Sequence, residues 1–166
     1  MKVKIKKLNE NAVIPTYAKE GDAGMDLTAT SKSFDEYGNV VYGTGLAFEI
    51  PKGYVGLLFP RSSNAKKYLS LTNSVGVLDS GYRGEVMFKY RSSVMTYNPL
   101  KFWWHVILRK NNKKKMTLYT SSCGHYDIGD RVGQLVIIKH PYIEFEEVDE
   151  LTETERGDGG YGSTGK

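Results

Sequence analysis

Hydrophobic and polar residues alternate along several short segments of the chain, and this is the pattern of half-buried β-strands. In one such segment Met25, Leu27 and Ala29 alternate with Asp26 and Thr28. Further strands are predicted at 2–8, 40–50, 54–59, 132–138 and 142–148, with turns at 51–53 and 128–131 and a loop at 31–39. Short strands at such close spacing predict an all-β fold.

Residues 73–85, NSVGVLDSGYRGE, join an apolar run to a turn that is rich in glycine. Val75, Val77 and Leu78 favour a half-buried strand, and Ser80-Gly81 favours a tight turn. Because alternation resumes beyond the turn, the segment is predicted to be a β-hairpin whose second strand buries Val86, Phe88 and Tyr90.

Asp79 and Tyr82 flank the turn of this predicted hairpin. With the backbone amides and carbonyls they would form a small cup that has a phenol as one wall and a carboxylate at its lip. Such a cup suits a nucleobase and a sugar. A second interpretation stays open, in which Asp79 only caps the turn and Tyr82 only packs against it.

Two other elements carry polar residues that suit phosphate. The segment PRSS, residues 60–63, is followed by helix-tolerant residues, which predicts an N-capped helical turn with free N–H groups and Arg61 directed at an anion. An ordinary capped turn accounts for the same residues. Gln134 interrupts an apolar strand, and a buried amide needs hydrogen-bond partners. The Gln134 side-chain amide is therefore expected either to form hydrogen bonds with the backbone or to lie in a binding site.

The composition is that of one globular domain: 166 residues, of which 40% are hydrophobic and 25% are charged. The chain has no apolar run of membrane-spanning length, and the charged segment at 1–7 is not the apolar core of a signal peptide. The single cysteine, Cys123, excludes an internal disulfide framework. A cytoplasmic location without a membrane partner is expected.

Charge is unevenly distributed behind the net value of +4. Residues 86–126 hold eight Lys or Arg and no acid, whereas residues 144–155 hold seven acids and no base and are expected to form a solvated linker. Within about 92–126, Trp103 and Trp104 precede a lysine cluster, which predicts a second, projecting hairpin. Such a hairpin could bind single-stranded nucleic acid, but a lysine-tipped, solvated hairpin explains the pattern too, and nucleic-acid binding is not expected.

The tail, RGDGGYGSTGK at 156–166, contains the pattern G-x-G-x-x-G and the start of a P-loop. Both motifs need a helix immediately afterwards, and none follows here. A glycine-rich backbone with Arg156, Ser163 and Thr164 could still wrap a polyphosphate through amides, hydroxyls and a guanidinium. A disordered tail is the alternative.

Five segments occur in the order AGMDL, PRSS, NSVGVLDSGYRGE, GDRVGQLVI and RGDGGYGSTG. This series closely resembles the five sequence motifs of the homotrimeric dUTP pyrophosphatases (dUTPases). The resemblance implies a jelly-roll-like β fold (β-clip) with one short helix, assembled as a homotrimer whose active sites are each built by all three chains. It also implies Mg2+-dependent hydrolysis of dUTP to dUMP and pyrophosphate, which keeps uracil out of DNA and supplies dUMP for thymidylate synthesis.

The resemblance assigns roles on the nucleoside side. Asp79 matches the catalytic carboxylate that holds the sugar 3'-hydroxyl and orders the water attacking the α-phosphate. Tyr82 matches the phenol stacked under the deoxyribose, which leaves no room for a 2'-hydroxyl. Asn73 and the hairpin backbone, Val77 included, match the uracil reader.

On the phosphate side the resemblance implies contacts from the second and fourth motifs, at Arg61, Ser62, Ser63 and Gln134. Asp26 matches a carboxylate near the water shell of Mg2+, which would be held mainly by substrate phosphates and waters. The tail is expected to close over an active site through Arg156, Tyr161, Gly162, Ser163 and Thr164. Tyr161 stands where the family usually has a phenylalanine, so that stacking on uracil should persist.

The resemblance divides the chain into a β domain at 1–155, with an insert at about 92–126, and a C-terminal arm at 156–166. The insert is longer than compact members require, as in some phage dUTPases in which it contacts regulatory proteins. A regulatory partner binding through 97–121 is therefore one hypothesis. A dCTP deaminase on the same fold and a non-catalytic regulatory protein are the alternatives. The deaminase family, however, has a sequence similar to H-R-I-D-P-G-W in the predicted hairpin, where this chain has Asp79-Ser80-Gly81-Tyr82. No role is assigned to Cys123 or to the histidines, His105, His125 and His140.

Overall fold

The computed structural model describes residues 1–92 and 124–160, in which ten strands and one short helical turn form. The helical turn is a single 3-10 segment at Ser62–Lys66. The strands are β1 (Lys4–Lys7), β2 (Met25–Thr28), β3 (Ser31–Phe34), β4 (Val40–Gly43), β5 (Leu46–Glu49), β6 (Tyr54–Phe59), β7 (Leu69–Leu71), β8 (Gly76–Leu78), β9 (Met87–Ser92) and β10 (Arg131–Lys139).

The strands form two four-stranded sheets and one two-stranded sheet, and every pairing is antiparallel. We call the sheet ordered β2-β10-β6-β8 the site sheet and the sheet ordered β3-β4-β9-β7 the tyrosine sheet. Their inner faces bury one apolar core, whose largest fully buried side chains are Tyr42, Tyr90, Phe88, Leu27, Leu46 and Leu135. The predicted all-β, jelly-roll-like class is confirmed.

Residues 40–50, predicted as one strand, form two. Strand β4 belongs to the tyrosine sheet, whereas β5 pairs with β1. The chain turns between them at Thr44 and at Gly45, whose φ of 66° is a left-handed conformation that favours glycine. At this crossover, buried Thr44 donates its hydroxyl proton to the carbonyl of Val86 at 2.7 Å. The crossover is thereby joined to the residue that directly follows the segment 73–85.

The hairpin predicted for residues 73–85 is wrong. Strand β8 pairs with β6 in the site sheet, whereas β9 pairs with β4 and β7 in the tyrosine sheet. The tight turn itself is present, since the Tyr82 N–H donates to the Asp79 carbonyl at 3.0 Å. The stretch is thus a connection between the two layers of the sandwich.

The loop predicted at 31–39 contains strand β3, so that prediction is also wrong. A turn between β3 and β4 is held by the Asp35 carboxylate, which accepts hydrogen bonds from the side chain and N–H of Asn39 and pairs with Lys89. These bonds, the Asn39 side chain first, hold the pKa of Asp35 well below its usual range. The contribution of these bonds to stability is therefore complete above the ordinary Asp pKa and is lost progressively as pH falls from there through the lowered pKa of the folded state.

The strand predicted at 142–148 is wrong for this chain taken alone. The segment has no regular structure, and its apolar side chains face solvent, with Tyr142 87% and Phe145 96% exposed. The pattern alternates as a strand would, but a strand also needs a partner edge. Within the described residues none pairs with it.

The basic aromatic insert lies mostly outside the described residues, but its two ends do not. Ser92, the last residue of β9, pairs with Leu69 of β7. The returning chain meets the same neighbourhood, since Lys67 donates from Nζ to the His125 carbonyl at 3.1 Å and lies 4.5 Å from the ring centroid of Tyr126. Both ends of the insert are therefore fixed beside residues 67–69.

Three buried tyrosines, Tyr42, Tyr90 and Tyr126, hold the chain in the core where it follows the insert. Tyr42 and Tyr126 lie edge to face at 5.8 Å, and the Tyr126 N–H donates to the Tyr42 hydroxyl at 2.9 Å. Tyr90 donates to the Val132 carbonyl at 2.6 Å. Burial raises the pKa of Tyr42 to about 12 and raises that of Tyr90 as well. These phenols are neutral hydrogen-bonding groups at physiological pH.

Candidate active site

A cavity of about 230 Å³ opens beside the connection between β8 and β9. Leu58, Gly76 and Leu78 contribute apolar walls, and Glu85, Val86 and Met87 lie on the return side. The remaining lining residues are the four that the sequence singled out for nucleoside contact, namely Asn73, Val77, Asp79 and Tyr82. The structure therefore brings this predicted set together in one concave place.

The turn that carries Asp79 is closed by its own hydrogen bonds. Besides the bond from the Tyr82 N–H, Arg83 donates from Nη1 to the carbonyls of Ser80 at 2.7 Å and Tyr82 at 2.8 Å. The Asp79 side chain is exposed and has no hydrogen bond or ion pair within the described residues. Its carboxylate is thus free to accept from a ligand or a water.

Asn73 reaches the same cavity through a strained turn. The Val75 N–H donates to the Asn73 carbonyl at 2.6 Å, which makes a three-residue turn centred on Ser74. Ser74 has a φ of 59°, an unusual conformation for a residue with a side chain that costs on the order of 1–3 kcal/mol. The surrounding strands β7 and β8 hold this conformation in place.

A second polar group lies at one end of the site sheet and centres on Asp26 of β2. Its two carboxylate oxygens accept from Arg61, at 2.8 Å from Nε and 3.3 Å from Nη2, and from Arg131 Nη1 at 3.0 Å. Arg61 also donates to the Ser63 hydroxyl at 3.3 Å. The side chains of Asp26 and Arg61 are only 16% and 24% exposed, so this pair is largely shielded from water, whereas Arg131 is 57% exposed.

The predicted helical turn after β6 is confirmed as 3-10, but its predicted capping is wrong. Arg61 itself occupies the N-cap position in an extended conformation, and no side chain caps the turn. The anion that Arg61 meets in this structure is the chain's own Asp26. Ser62 is exposed at the start of the turn, whereas Ser63 is half-buried.

Gln134 lies at the same end of the sheet. It is directly opposite Asp26 on one side and Phe59 on the other, and side chains opposite one another in a sheet project from the same face. Gly24 lies beside it, since a β-carbon there would make ordinary van der Waals contact with the Gln134 side chain at 3.6 Å. Asp26, Arg61 and Gln134 thus form one cluster, as the phosphate-side prediction requires.

The two groups are separated within one chain. Leu78 is opposite Gly56 of β6, so Asp79 continues toward the start of β6, whereas Arg61 follows its end. Arg61 is five residues beyond Gly56 along the chain, which is roughly 16 Å at the usual rise per residue of an extended chain. The cavity and the Asp26 cluster are therefore two candidate half-sites that lie toward opposite ends of β6.

The remaining predicted residues belong to the tail. Arg156 is exposed and donates from Nε to the Gly159 carbonyl at 3.1 Å, within a short turn of the tail itself. Nothing in the described residues places it at either half-site. The other tail positions lie outside the described residues, and these are Tyr161, Gly162, Ser163 and Thr164.

Two residues at these half-sites were missed from the sequence. Arg131 was counted as part of a turn, yet it is the second guanidinium on Asp26. Glu85 received no role, yet it lines the cavity and accepts from the Gly45 N–H at 2.7 Å. Each of the two is a charged residue inside a glycine-rich motif. Because glycine has no side chain that could pair with the charge, a partner from elsewhere in the fold could have been expected.

No group of three or more His, Cys, Asp or Glu suited to a metal occurs in the described part of the chain. Asp26 directs both of its oxygens to guanidinium groups. This donor set does not form a protein cage for a metal. Mg2+ needs no such cage, because it binds largely through phosphates and waters with few carboxylates. In the same described ranges, no helix is long and apolar enough to cross a membrane.

The sequence matches the dUTPase family profile over residues 10–96 and 111–165. A relative from Corynebacterium glutamicum, deoxyuridine 5'-triphosphate nucleotidohydrolase, is 39% identical over 166 residues, which cover 99% of this chain and 95% of that protein. Both matches extend over all five motifs.

Solved phage structures share the fold. The dUTPase of Staphylococcus bacteriophage 80alpha with dUPNHPP is 26% identical, with a TM-score of 0.72 and 99% of each chain covered. It is described as belonging to phage dUTPases that control transfer of virulence genes by a proto-oncogenic G protein-like mechanism. A mutant dUTPase from phage phi11 of S. aureus, at 25% identity and a TM-score of 0.67, covers 92% of this chain and all of its own, and is described with a structural Mg(II) ion.

Proposed function

Because the chain belongs to the dUTPase family, we infer that it hydrolyses dUTP to dUMP and pyrophosphate. The observation that carries this function to particular residues is the cavity at the β8–β9 connection. It joins an amide, a phenol and an unpaired carboxylate, from Asn73, Tyr82 and Asp79, in one concave place. A cytoplasmic location remains a prediction from the sequence.

We propose that this cavity binds the nucleoside part of dUTP. Asn73 and the backbone at Val77 are proposed to read uracil, and Tyr82 to lie under the deoxyribose. Asp79 is proposed to orient the water that attacks the α-phosphate, since its carboxylate is free and stands at the mouth of the cavity. A positioned carboxylate of this kind can accept the proton of the attacking water.

The phosphate half is proposed to be the Asp26 cluster. Arg61 uses the Nε and Nη2 edge of its guanidinium on Asp26 and one Nη1 donor on Ser63. These bonds orient the group and leave its remaining Nη donors for phosphate oxygens. A triphosphate arriving here would meet Arg61 and Gln134, with the hydroxyls of Ser62 and Ser63 beside them. Developing charge on the phosphates would be stabilised by these fixed donors.

The tail is proposed to supply the last contacts, from Arg156 and from the series Tyr161, Gly162, Ser163 and Thr164. Mg2+ bound to the triphosphate would neutralise charge on its oxygens and hold the phosphates in line for displacement. On the protein side, Asp26 is proposed to accept hydrogen bonds from the water shell of the ion. This proposal follows from a donor set that offers one carboxylate and two guanidiniums instead of a metal cage.

Separation of the half-sites supports assembly as a homotrimer with shared sites. Asp79 and Arg61 lie toward opposite ends of β6, so we propose that a site that uses both takes them from different chains. The exposed apolar side chains at 142–151, among them Phe145 and Leu151, are also unusual for a free surface and would be covered in an assembly.

Mixing two inactive variants tests this arrangement. Arg61→Ala and Asp79→Asn should each be nearly inactive alone, because each removes one half of every site. Refolding them together in equal amounts should restore about one quarter of the wild-type rate, since each mixed cyclic trimer then has one intact site. The measurement is pyrophosphate release from dUTP with Mg2+ before and after joint refolding.

The control is the same pair mixed without unfolding, so that subunits do not exchange. If joint refolding leaves the mixture as inactive as its components, although mass spectrometry shows mixed trimers, the shared site is refuted. The result also separates assembly from chemistry, because wild-type hydrolysis of dUTP is measured in parallel.

We propose a second role, binding of a regulatory protein, for residues 97–121. Three observations support it. The family profile skips residues 97–110, similar phage dUTPases are described as controlling gene transfer, and the ends of the insert are fixed beside residues 67–69. A dCTP deaminase is not favoured, since the matching family and the named relatives act on dUTP.

Deleting residues 97–121 should leave kcat and KM for dUTP within about twofold of wild type, because the fixed ends close the shortened loop at little entropic cost. Steady-state kinetics of the deletion and of the full chain provide the comparison. A loss of hydrolysis in a deletion that still assembles would instead show that these residues complete the active site.

A further inference from the structure

Tyr82 is held in place by residues that follow it in the chain. Its hydroxyl donates to the Glu85 carbonyl at 3.0 Å. Its ring also lies over Gly84 so closely that a β-carbon on Gly84 would overlap the hydroxyl oxygen and stand only 2.6 Å from Cζ and 3.0 Å from Cε2. The ring can occupy this position only because residue 84 has no side chain.

The requirement at Gly84 concerns space and not backbone conformation. Gly84 does not belong to the glycines with a positive φ, so its backbone would accept an alanine. Gly81, at the other side of Tyr82, also has an ordinary backbone, but a β-carbon there would meet nothing within 4 Å. The two glycines therefore form a matched pair in which only one is sterically restricted.

The anchor for the Tyr82 hydroxyl is itself rigid. The Glu85 carboxylate accepts from the Gly45 N–H at 2.7 Å, and the neighbouring Val86 N–H donates to the Leu46 carbonyl at 2.8 Å. Val86 and Leu46 are fully buried at the crossover between β4 and β5. The orientation of the Tyr82 ring is thus set by the core of the sandwich through Glu85.

We propose that Gly84 and Glu85 are positioning residues that fix the Tyr82 ring as a wall of the nucleoside cavity and thereby set its preference for deoxyribose over ribose. The inference rests on the proposed placement of the sugar against Tyr82. A fixed wall rejects an added 2'-hydroxyl, because a sugar bearing that hydroxyl can fit only if the ring moves. A ring that is free to tilt would make room for it.

Replacing Gly84 by alanine should therefore lower the ratio of kcat/KM for dUTP to kcat/KM for UTP by about 10- to 100-fold, the range that differences of one small group produce in a pocket. The ratio of the dissociation constants for dUMP and UMP should change in the same direction. The ratio of dissociation constants reports on the fit of the sugar against the Tyr82 ring, because binding of a monophosphate involves no chemical step. Gly81→Ala adds the same methyl group in open space and should leave both ratios unchanged.

Tyr82→Phe keeps the ring but removes its hydrogen bond to Glu85, so it should lower the same ratios by about two- to tenfold, the contribution of one hydrogen bond. It provides the test if Gly84→Ala does not fold. Unchanged ratios in folded Gly84→Ala, or in Tyr82→Phe if the alanine variant does not fold, would refute the proposal. Failure of the proposed function would be seen separately, as wild-type protein that does not hydrolyse dUTP.

Discussion

Asp79→Asn should lower kcat for dUTP hydrolysis by about 10²- to 10⁴-fold, the range that a positioned general base contributes. Asparagine has nearly the same shape, but its amide cannot take a proton from the attacking water. The backbone of the turn should persist, because the carbonyl of residue 79 and not its side chain accepts from the Tyr82 N–H. KM should therefore change much less than kcat.

The experiment measures pyrophosphate release from each deoxynucleoside triphosphate with Mg2+. Glu36→Gln, which neutralises an exposed carboxylate in the turn between β3 and β4, is the matched control and should retain the wild-type rate. Full activity in Asp79→Asn would exclude this residue as the base. Ammonia release from dCTP by the wild type would instead favour the deaminase alternative.

Gly133→Ala should reduce the free energy of unfolding by about 3 kcal/mol, at the upper end of the usual cost of overpacking a core. Gly133 lies in β10 of the site sheet and faces Phe88 of the tyrosine sheet. A β-carbon there would overlap Cε1 and Cζ of the Phe88 ring and stand 2.7 Å from Cδ1. Phe88 is 1% exposed and stacks on Tyr90, so the ring has little room to move.

Urea unfolding at a fixed protein concentration measures this loss, since the stability of an oligomer depends on concentration. Phe88→Leu alone should also destabilise the protein, by removing ring contacts. The double variant should nevertheless be more stable than the sum of the two losses predicts, because the smaller side chain removes the overlap. Additive losses would show that the two residues do not compete for the same space.

Alternation along the sequence predicted the strands that lie against the core but not the identity of their partners. Met25–Thr28 and Tyr54–Phe59 are strands because their apolar residues face the buried side. Ser31–Phe34 is mostly exposed and polar at an edge, so it carried no such signal. The stretch 73–85 contains a real turn, yet whether its flanking strands join one sheet or two depends on β4 and β6, which are distant in sequence.

The sequence likewise predicted one part of the candidate site and not the other. Asn73, Val77, Asp79 and Tyr82 are close in sequence, so one local motif could indicate that they share a cavity. The pairing of Asp26 with Arg61 and Arg131 depends on the order of β2, β10 and β6 in the sheet, which the alternation pattern does not contain. The segment at 142–148 has the pattern of a strand but no partner edge within the described part of its own chain, a condition that only an assembly could change.

The fixed ends of the insert make this position tolerant of change in evolution. Ser92 is held on β7, and His125 and Tyr126 are held by Lys67, so the two described ends of the insert lie at one place on the domain. Doubling the length of a loop that is closed in this way costs only about 0.6 kcal/mol. New binding segments can therefore be acquired, exchanged or lost between these two ends while the rest of the domain keeps its fold.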